Sequence, residues 1–200
     1  MQYRHEVKHE ISNLDMLILR QRLRAVMAPD SHAIDGQCEI RSLYFDNPDD
    51  KALREKLDGV SRREKYRIRM YNNDPSVIRL ERKFKCSGLG YKESALLTQA
   101  QACRIAGGDI HWMAASTDEV ILRFYTCIRN EGLAAKVIVD YTREPFVFVP
   151  GNVRVTLDYN IRTALGCTDF LNPHCTTIPV AGSPCILEVK WDNFLPDVIR

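Results

Sequence analysis

Residues 63–85 read REKYRIRMY, then NNDP, then SVIRLERKFK, and this stretch sets the pattern for the rest of the chain. Apolar and charged residues alternate in both halves, which flank a polar segment containing Asn72 and Pro75. Alternation with a period of two is typical of β-strands, and Asn, Asp and Pro form turns, so the stretch is predicted to be an antiparallel hairpin. Successive side chains of a strand point to opposite faces. One face of the hairpin can therefore pack on a core, while the other carries arginine, lysine and carboxylate groups.

Composition limits the class of protein. The chain has 200 residues, 45% of them hydrophobic, and a formal net charge of +2. That is enough apolar material for one sizeable core, and too little charge to steer the whole molecule to nucleic acid or an anionic membrane. Seven cysteines occur without a C-x-x-C pair, which argues against a disulfide scaffold or zinc knuckle and favours a reducing cytoplasm. No apolar run approaches the ~20 residues that span a bilayer, and no targeting segment is recognised.

The strand pattern recurs along the chain, with helices between the strands. Alternation predicts further strands at residues 2–11, 38–46, 91–97, 134–149, 153–159 and 185–191. Helical spacing and capping residues predict helices at residues 12–28, 48–57, 98–106 and 118–130. Residues 162–183 are rich in Thr, Pro and Cys and are predicted to be irregular. About eight mostly antiparallel strands with inserted helices predict an α+β fold, which we expect to form a single domain over residues 1–200.

Several of these strands carry charge on one face. In an ordinary antiparallel sheet this would be the solvated face. Repetition of the same basic and acidic pattern on many strands favours a second arrangement, a closed barrel whose charged faces line a lumen with room for side chains or one small ligand. A dry lumen could not hold such charge, because desolvation costs several kcal/mol per ion. We therefore expect a wet lumen in which anions balance the arginines and lysines.

The charged residue types also indicate the kind of anion. Arginine forms forked contacts with phosphate oxygens, lysine supplies a mobile charge, and Glu or Asp can hold Mg²⁺ or Mn²⁺ against the same phosphates. A linear polyphosphate or the tail of a nucleoside triphosphate fits this chemistry best.

Seven motifs, in order along nearly the whole chain, resemble one known family. They are EVK at 6–8, SLYFD at 42–46, YRIR at 66–69, LERK at 80–83, DYTR at 140–143, VRVTLD at 153–158 and LEVK at 187–190. Together they resemble the VTC (vacuolar transporter chaperone) domain of the triphosphate tunnel metalloenzyme, or CYTH-like, superfamily. The resemblance implies a closed antiparallel β-barrel tunnel of about eight strands with helices packed outside. It further implies synthesis of polyphosphate from ATP with Mn²⁺ or Mg²⁺ as cofactor.

The resemblance also implies roles for individual residues. The basic side chains expected to act on the phosphates, with the first near the reacting end, are Lys8, Arg67, Arg69, Lys83, Arg143, Arg154 and Lys190. Tyr141 and Lys92 would bind substrate. Glu188 would be the principal metal ligand, and Glu81 and Glu6 are further candidates.

Family members usually continue past the LEVK strand into a helix that closes one tunnel mouth. This sequence ends at Ile199 and Arg200, where that helix should begin. Either the sequence is truncated before that helix or the protein lacks part of the site, so phosphate binding is a stronger expectation than polymerase activity.

Three functions stay open at this point. The first is an ATP:polyphosphate phosphotransferase, the second is a tunnel triphosphatase that hydrolyses inorganic or nucleoside triphosphate, and the third is a non-catalytic polyphosphate-binding domain. ATP and polyphosphate are the expected partners, and the family adds a membrane-protein partner without direct membrane insertion. Nucleic acid is not an expected partner, because no aromatic stacking platform accompanies the basic residues.

Overall fold

The structure is a computed structural model that describes residues 3–164 and 166–200. Its strands are β1 (His5–Ile11), β2 (Ala28–Pro29), β3 (Cys38–Asp46), β4 (Arg63–Tyr71), β5 (Asp74–Cys86), β6 (Leu89–Leu97), β7 (Ala134–Phe148), β8 (Val153–Ala164), β9 (Ile178–Pro179) and β10 (Cys185–Trp191). Its helices are α1 (Asn13–Val26), α2 (Lys51–Leu57), α3 (Gln99–Ala106) and α4 (Glu119–Glu131), with 3-10 turns at His111–Ala115 and Pro150–Asn152. Residue 2, which belongs to the predicted first strand, lies outside the described residues.

Eight of the strands form a closed antiparallel barrel. Their order around the sheet is β1-β10-β8-β7-β3-β4-β5-β6, while the two-residue strands β2 and β9 pair with β7 and β8. The ring closes beside β1, where the amide of Arg4 donates to the carbonyl of Gly90 at 3.0 Å and the amide of Gly90 donates back at 3.1 Å. Closure leaves the sheet no long free edge. The predicted fold, a closed antiparallel barrel of about eight strands with helices outside, is confirmed.

The hairpin that sets the sequence pattern forms as predicted. β4 and β5 pair from Arg63 opposite Lys85, and the turn consists of Asn72 and Asn73, both with φ near 52°. Positive φ at both central residues is the type I′ geometry, whose twist matches that of the flanking strands. An irregularity just beyond the turn, between Arg69 and Tyr71, then shifts the pairing to the register that places Arg67 opposite Glu81.

The hydrophobic cores lie outside the barrel, between its wall and the helices. One core packs the outer faces of β3, β4 and β5 against α3 and α4, and it includes Tyr66, Ile68 and Leu80. The other packs β7, β8 and β10 against α1, whose N-terminus is closed by the predicted capping box of Ser12 and Asp15. Since the apolar side of each strand faces outward, the charged side faces the lumen.

α2 begins three residues later than predicted. Side chains of Asp46 and Asn47 accept hydrogen bonds from the backbone amides of residues 49 and 51–53. These bonds hold the preceding residues in a turn, so the helix starts at Lys51 instead of residue 48. Asp and Asn commonly stabilise turns in this way.

Two strands are longer than predicted. β6 starts at Leu89, because Ser87 and Gly88 alone form the turn that follows β5. β8 continues past residue 159 to Ala164, pairing with β7 and β9. β8 contains a bulge at this point, where Asn160 has a φ of 53°, and the bulge interrupts the alternation that predicts a strand. Residues 162–164, predicted to be irregular, are therefore strand.

The outer core should dominate the stability of the fold. Phe124 of α4 is 0% exposed and its ring lies 4.8 Å from the ring of Tyr66 and 4.9 Å from that of Phe45. We expect Phe124→Ala to lower the free energy of unfolding by about 3–5 kcal/mol, because it leaves a cavity between helix and barrel. Urea unfolding measures this loss. Leu14→Ala on α1, where Leu14 is 67% exposed, is the matched control and should change stability little; equal losses in both variants would contradict the placement of the core.

Candidate functional site

Basic side chains from most strands of the barrel face its lumen. Contacts across the lumen show this orientation: Nζ of Lys83 on β5 lies 2.7 Å from Oε1 of Glu6 on β1, although β6 separates these strands in the sheet. The cationic side chains on the inner faces include Lys8, Lys65, Arg67, Arg69, Arg79, Lys83, Lys92, Arg143, Arg154 and Lys190. They outnumber the carboxylates on the same faces, which include Glu6, Glu10, Glu81, Asp158 and Glu188.

Glu188 collects three cations around one buried carboxylate. Its side chain is 2% exposed, and its oxygens lie 2.7 Å from Lys190 Nζ, 3.5 Å from Lys8 Nζ and 3.0 Å from Arg143 Nη2. Burial favours the neutral acid, but the nearby cations, Lys190 first among them, outweigh burial and hold the pKa of Glu188 far below its usual range. Glu188 is therefore ionised at the centre of the predicted phosphate-binding set.

Arg143 is held in one orientation by a residue that the family motifs did not assign. Asp158 lies opposite Arg143 on β8 and accepts two hydrogen bonds from its guanidinium, both at 2.6 Å. The guanidinium also lies 5.4 Å from the centre of the Tyr141 ring. A forked arginine–carboxylate pair fixes the plane of the guanidinium. Strand alternation had placed charge at Asp158, and the register that brings it opposite Arg143 runs unbroken from the turn at Pro150–Asn152.

Glu81 organises the opposite wall of the lumen. It is 1% exposed; one oxygen accepts from Arg67 Nε at 2.8 Å and the other from Lys92 Nζ at 2.7 Å. Burial raises the pKa of Glu81, while Arg67, Arg69 and Lys92 together lower it to about 2. A third nitrogen of the Arg67 guanidinium, Nη1, donates a hydrogen bond to the hydroxyl of Tyr44 at 3.1 Å. Glu81 thus aligns two predicted phosphate contacts.

Arg69 is a buried cation without a carboxylate partner. Its Nε donates to Ser42 Oγ at 3.0 Å and its Nη2 donates to the Tyr141 hydroxyl at 2.8 Å. Within residues 3–164 and 166–200, no carboxylate oxygen lies within 4.0 Å of it, although its side chain is only 3% exposed. A buried charge left unpaired is costly, so this guanidinium provides a strong reason for an anion to enter the lumen.

Lys65 is a second cation without a carboxylate partner among the described residues; it is half-buried, and the family motifs did not identify it. Its Nζ lies 5.3 Å from the centre of the Tyr44 ring, and the described part of the chain brings no carboxylate into ion-pair distance. Burial lowers the pKa of Lys65 to about 8, although Tyr44 acts to raise it. The signal was present in the sequence, since alternation puts Lys65 on the same face as Arg67 and Arg69.

Arg154 lies at the rim of the lumen. Its Nη2 pairs with Asp30, in the loop after α1, at 2.9 Å, and its side chain is 40% exposed. Its Nε is buried and has no hydrogen-bond partner among the described residues. Lys8 and Lys92 are also about half exposed. The predicted phosphate contacts therefore run from exposed positions at the rim to buried ones inside.

The predicted metal ligands do not form one cluster. Glu6 pairs with Lys83, and Glu81 and Glu188 each bind cations with both oxygens. In the described part of the chain, the one group of three close ligand atoms is Glu64, Cys127 and Glu131, on the outer side of the wall beside α4. Mg²⁺ commonly uses one or two carboxylates together with substrate phosphates. An ionised Glu188 fits a divalent metal that binds along with phosphate, so Glu188 fits this role better than the outer group.

The closed barrel and its cation-rich lumen define a protein of the triphosphate tunnel class. The family model described as VTC domain matches residues 3–200, and the chain belongs to that family. The resemblance suggested by the seven motifs is therefore confirmed.

Solved structures share the fold. A proposed adenylate cyclase from Bacillus halodurans superposes with a TM-score of 0.56 at 14% identity, over 98% of this chain and 83% of that chain. A proposed adenylyl cyclase from Hippeastrum, described as revealing a dominant triphosphatase activity, superposes with a TM-score of 0.53 at 12% identity, over 95% of this chain and 79% of that chain. At these identities the likeness shows the fold alone. A search among proteins of curated function gives no significant match.

The helices of the described residues are short, and α1 has 14 residues. None of their helices combines the length and the apolar character that crossing a membrane requires.

Acid should weaken the fold through Glu81. The ionised carboxylate adds stability above its ordinary pKa of 4.5, and this contribution is lost as the pH falls toward the folded pKa of about 2. A shift of this size corresponds to about 3 kcal/mol as an upper bound. Urea unfolding of the native protein and of Glu81→Gln should therefore differ most above about pH 4.5 and converge as the pH falls to about 2. A difference that does not change with pH would contradict the assigned ionisation of Glu81.

Proposed function

We propose that this domain is a metal-dependent phosphotransferase that moves the γ-phosphoryl group of ATP onto a growing polyphosphate chain inside the tunnel. The observation that carries the proposal is the excess of buried cations in the lumen, above all Arg69. That guanidinium already has two neutral hydrogen-bond partners but lacks a counter-charge. A phosphate chain supplies such charge at regular intervals along a tunnel, which an isolated small anion does not.

Phosphoryl transfer requires little covalent chemistry from the protein. Transfer asks the protein mainly to align the reactants and to stabilise negative charge on the transferred group. Arg67 and Arg143 suit this task because Glu81 and Asp158 fix their orientation before substrate binds. Fixed charges of this kind need little reorganisation during the reaction.

The bond changes are simple. The γ-phosphorus of ATP leaves the oxygen that bridges it to the β-phosphate, and it bonds to a terminal oxygen of the polyphosphate chain, with ADP as the leaving group. Attack is in line, so donor and acceptor must lie along one axis, which a tunnel imposes. The acceptor oxygen of the polyphosphate is already anionic, so the protein needs no dedicated general base.

A divalent metal would contribute charge neutralisation on the phosphate oxygens. Glu188 is the residue we propose to hold it, as Mn²⁺ or Mg²⁺. Lys8, Lys190 and Arg143, which surround Glu188 in this structure, would then contact the phosphates.

Hydrolysis of triphosphate is the second candidate function. The structural neighbour from Hippeastrum, described as revealing a dominant triphosphatase activity, favours it. The same tunnel would hydrolyse triphosphate if water occupied the position of the acceptor phosphate. The two reactions differ in access to that position, while the residues that grip the triphosphate are shared.

Arg69 gives a clean test of phosphate binding. We expect Arg69→Gln to weaken binding of inorganic tripolyphosphate by about tenfold to a hundredfold, since a hydrogen bond to a charged group is worth about 1.5–3 kcal/mol. Removing this guanidinium breaks no ion pair within the described chain, so the fold should survive. Calorimetric titration measures the affinity. Arg123→Gln, on the exposed side of α4, is the matched control; an equal loss in both variants would refute the site.

The products formed from ATP decide between the candidate functions. Incubation with ATP and Mn²⁺ or Mg²⁺, followed by gel separation, should yield a polyphosphate ladder together with ADP. Free phosphate without a ladder would instead establish the triphosphatase. Absence of turnover, combined with protection of the fold from heat by polyphosphate, would identify a binding domain.

A further inference from the structure

Tyr44 occupies an unusual position in the lumen. It lies on β3 directly opposite Arg67 of β4, and its hydroxyl accepts a hydrogen bond from Arg67 Nη1 at 3.1 Å. Lys65, two residues before Arg67, places its ammonium group 5.3 Å from the centre of the Tyr44 ring. The aromatic ring therefore faces two cations of the neighbouring strand.

The hydroxyl of Tyr44 has a donor but no acceptor. Arg67 donates to it, and no described residue accepts the proton of the phenol. Tyr44 is half-buried, and a hydroxyl can donate as well as accept. Among the described residues its oxygen serves as an acceptor, a role that a phenolate oxygen also fills.

Charges around Tyr44 come from several strands. Its register partner on β7 is the uncharged Val137, and on β3 itself Asp46 is engaged by the amides of α2. The ionisable groups that face Tyr44 or its neighbour Lys65 from β4, β5 and β1 are Lys65, Arg67, Arg69, Glu81, Lys83 and Lys8. The one carboxylate in this set, Glu81, already binds Arg67 and Lys92. No carboxylate remains to balance Lys65.

The ionisation of the phenol agrees with this geometry. Burial raises the pKa of Tyr44, but Arg67, Lys65 and Arg69 outweigh burial and lower it to about 7. Tyr141, which also lies in the lumen, has a pKa that shifts in the opposite direction. Burial raises the pKa of Tyr141 above its ordinary value even though Arg143 and Arg69 are near.

We propose that Tyr44 is a resident counter-anion of the tunnel: its phenolate balances Lys65 and Arg67 while the lumen holds no phosphate, and it is protonated when a phosphate chain binds. The proton comes from solution, and the phenol then donates a hydrogen bond to a phosphate oxygen. The inference rests on the proposed function, because it requires phosphate to enter the lumen. It adds that substrate binding takes up a proton at Tyr44.

A pH dependence of binding follows from this exchange. A bound phosphate raises the pKa of Tyr44, so binding favours the protonated phenol, and affinity falls as the pH rises above about 7. One coupled proton changes affinity by up to about tenfold per pH unit. Bound phosphate also favours the protonated forms of Lys65 and the other lumen lysines, so their contribution to affinity likewise falls as the pH rises. Tyr44→Phe removes only the contribution of the phenol. Affinity for tripolyphosphate in this variant should therefore fall less steeply with pH.

The near-ultraviolet absorbance of ionised tyrosine tests the proposal without metal, ATP or turnover. At about pH 8, well below the ordinary tyrosine pKa of about 10, the phosphate-free protein should show the band of one tyrosinate among its eight tyrosines. Titration with inorganic tripolyphosphate should remove this band. Tyr44→Phe should lack both the band and its loss, whereas Tyr125→Phe, the matched control on α4 outside the barrel, should keep both.

A second variant covers the case in which Tyr44→Phe does not fold. Lys65→Met keeps the length and apolar stem of the side chain but removes its charge, so the pH midpoint of the tyrosinate band should rise. Calorimetric titration in the same samples reports tripolyphosphate binding independently. Binding without a tyrosinate band, or with a band that tripolyphosphate does not change, would overturn this inference alone. Absence of binding would overturn the proposed function together with it.

Discussion

The structure depends on one electrostatic constraint: a closed sheet that turns its charged face inward must balance that charge within a confined space. Glu188, Glu81 and Asp158 do part of this by pairing with lysines and arginines of neighbouring strands. They are too few for the cations that surround them. The excess is concentrated at the buried Arg69 and the half-buried Lys65, which lack a carboxylate within ion-pair distance in the described chain. An anionic ligand therefore completes the interior.

This constraint explains why the apolar residues are outside. A barrel whose lumen is polar cannot use its interior as a hydrophobic core, so the wall must find apolar partners on its outer face. α3 and α4 cover one side and α1 covers the other, with Phe124 and Leu23 among the buried contacts. The apolar packing that stabilises the barrel and the charged groups that bind the ligand thus lie on opposite faces of the same strands. A substitution on one face can alter one property while leaving the other largely intact.

Sequence alone predicted the wall well and the interior less completely. Strands at residues 38–46 and 185–191 have the predicted bounds, because strict alternation and clear turn residues mark their ends. Alternation also identifies which residues share a face, but it does not give the depth of a side chain or its partners. Lys65 was placed on the correct face without a role, and alternation put charge at both Arg143 and Asp158 without showing that their side chains form a forked pair. The roles of the predicted site residues in catalysis stay predictions.

The closing seam of the barrel has a consequence for how the protein is made. β1, near the start of the chain, pairs with β10, near its end, and within the described residues one backbone bridge, Arg4–Gly90, joins its other side to β6. Contacts between segments so distant in sequence form late, because they require closure of a very long loop. During synthesis β1 therefore waits without its main partner until the last strand leaves the ribosome. Glu188 meets Lys8 only at that moment, so the nascent chain has no complete phosphate site until its wall has closed.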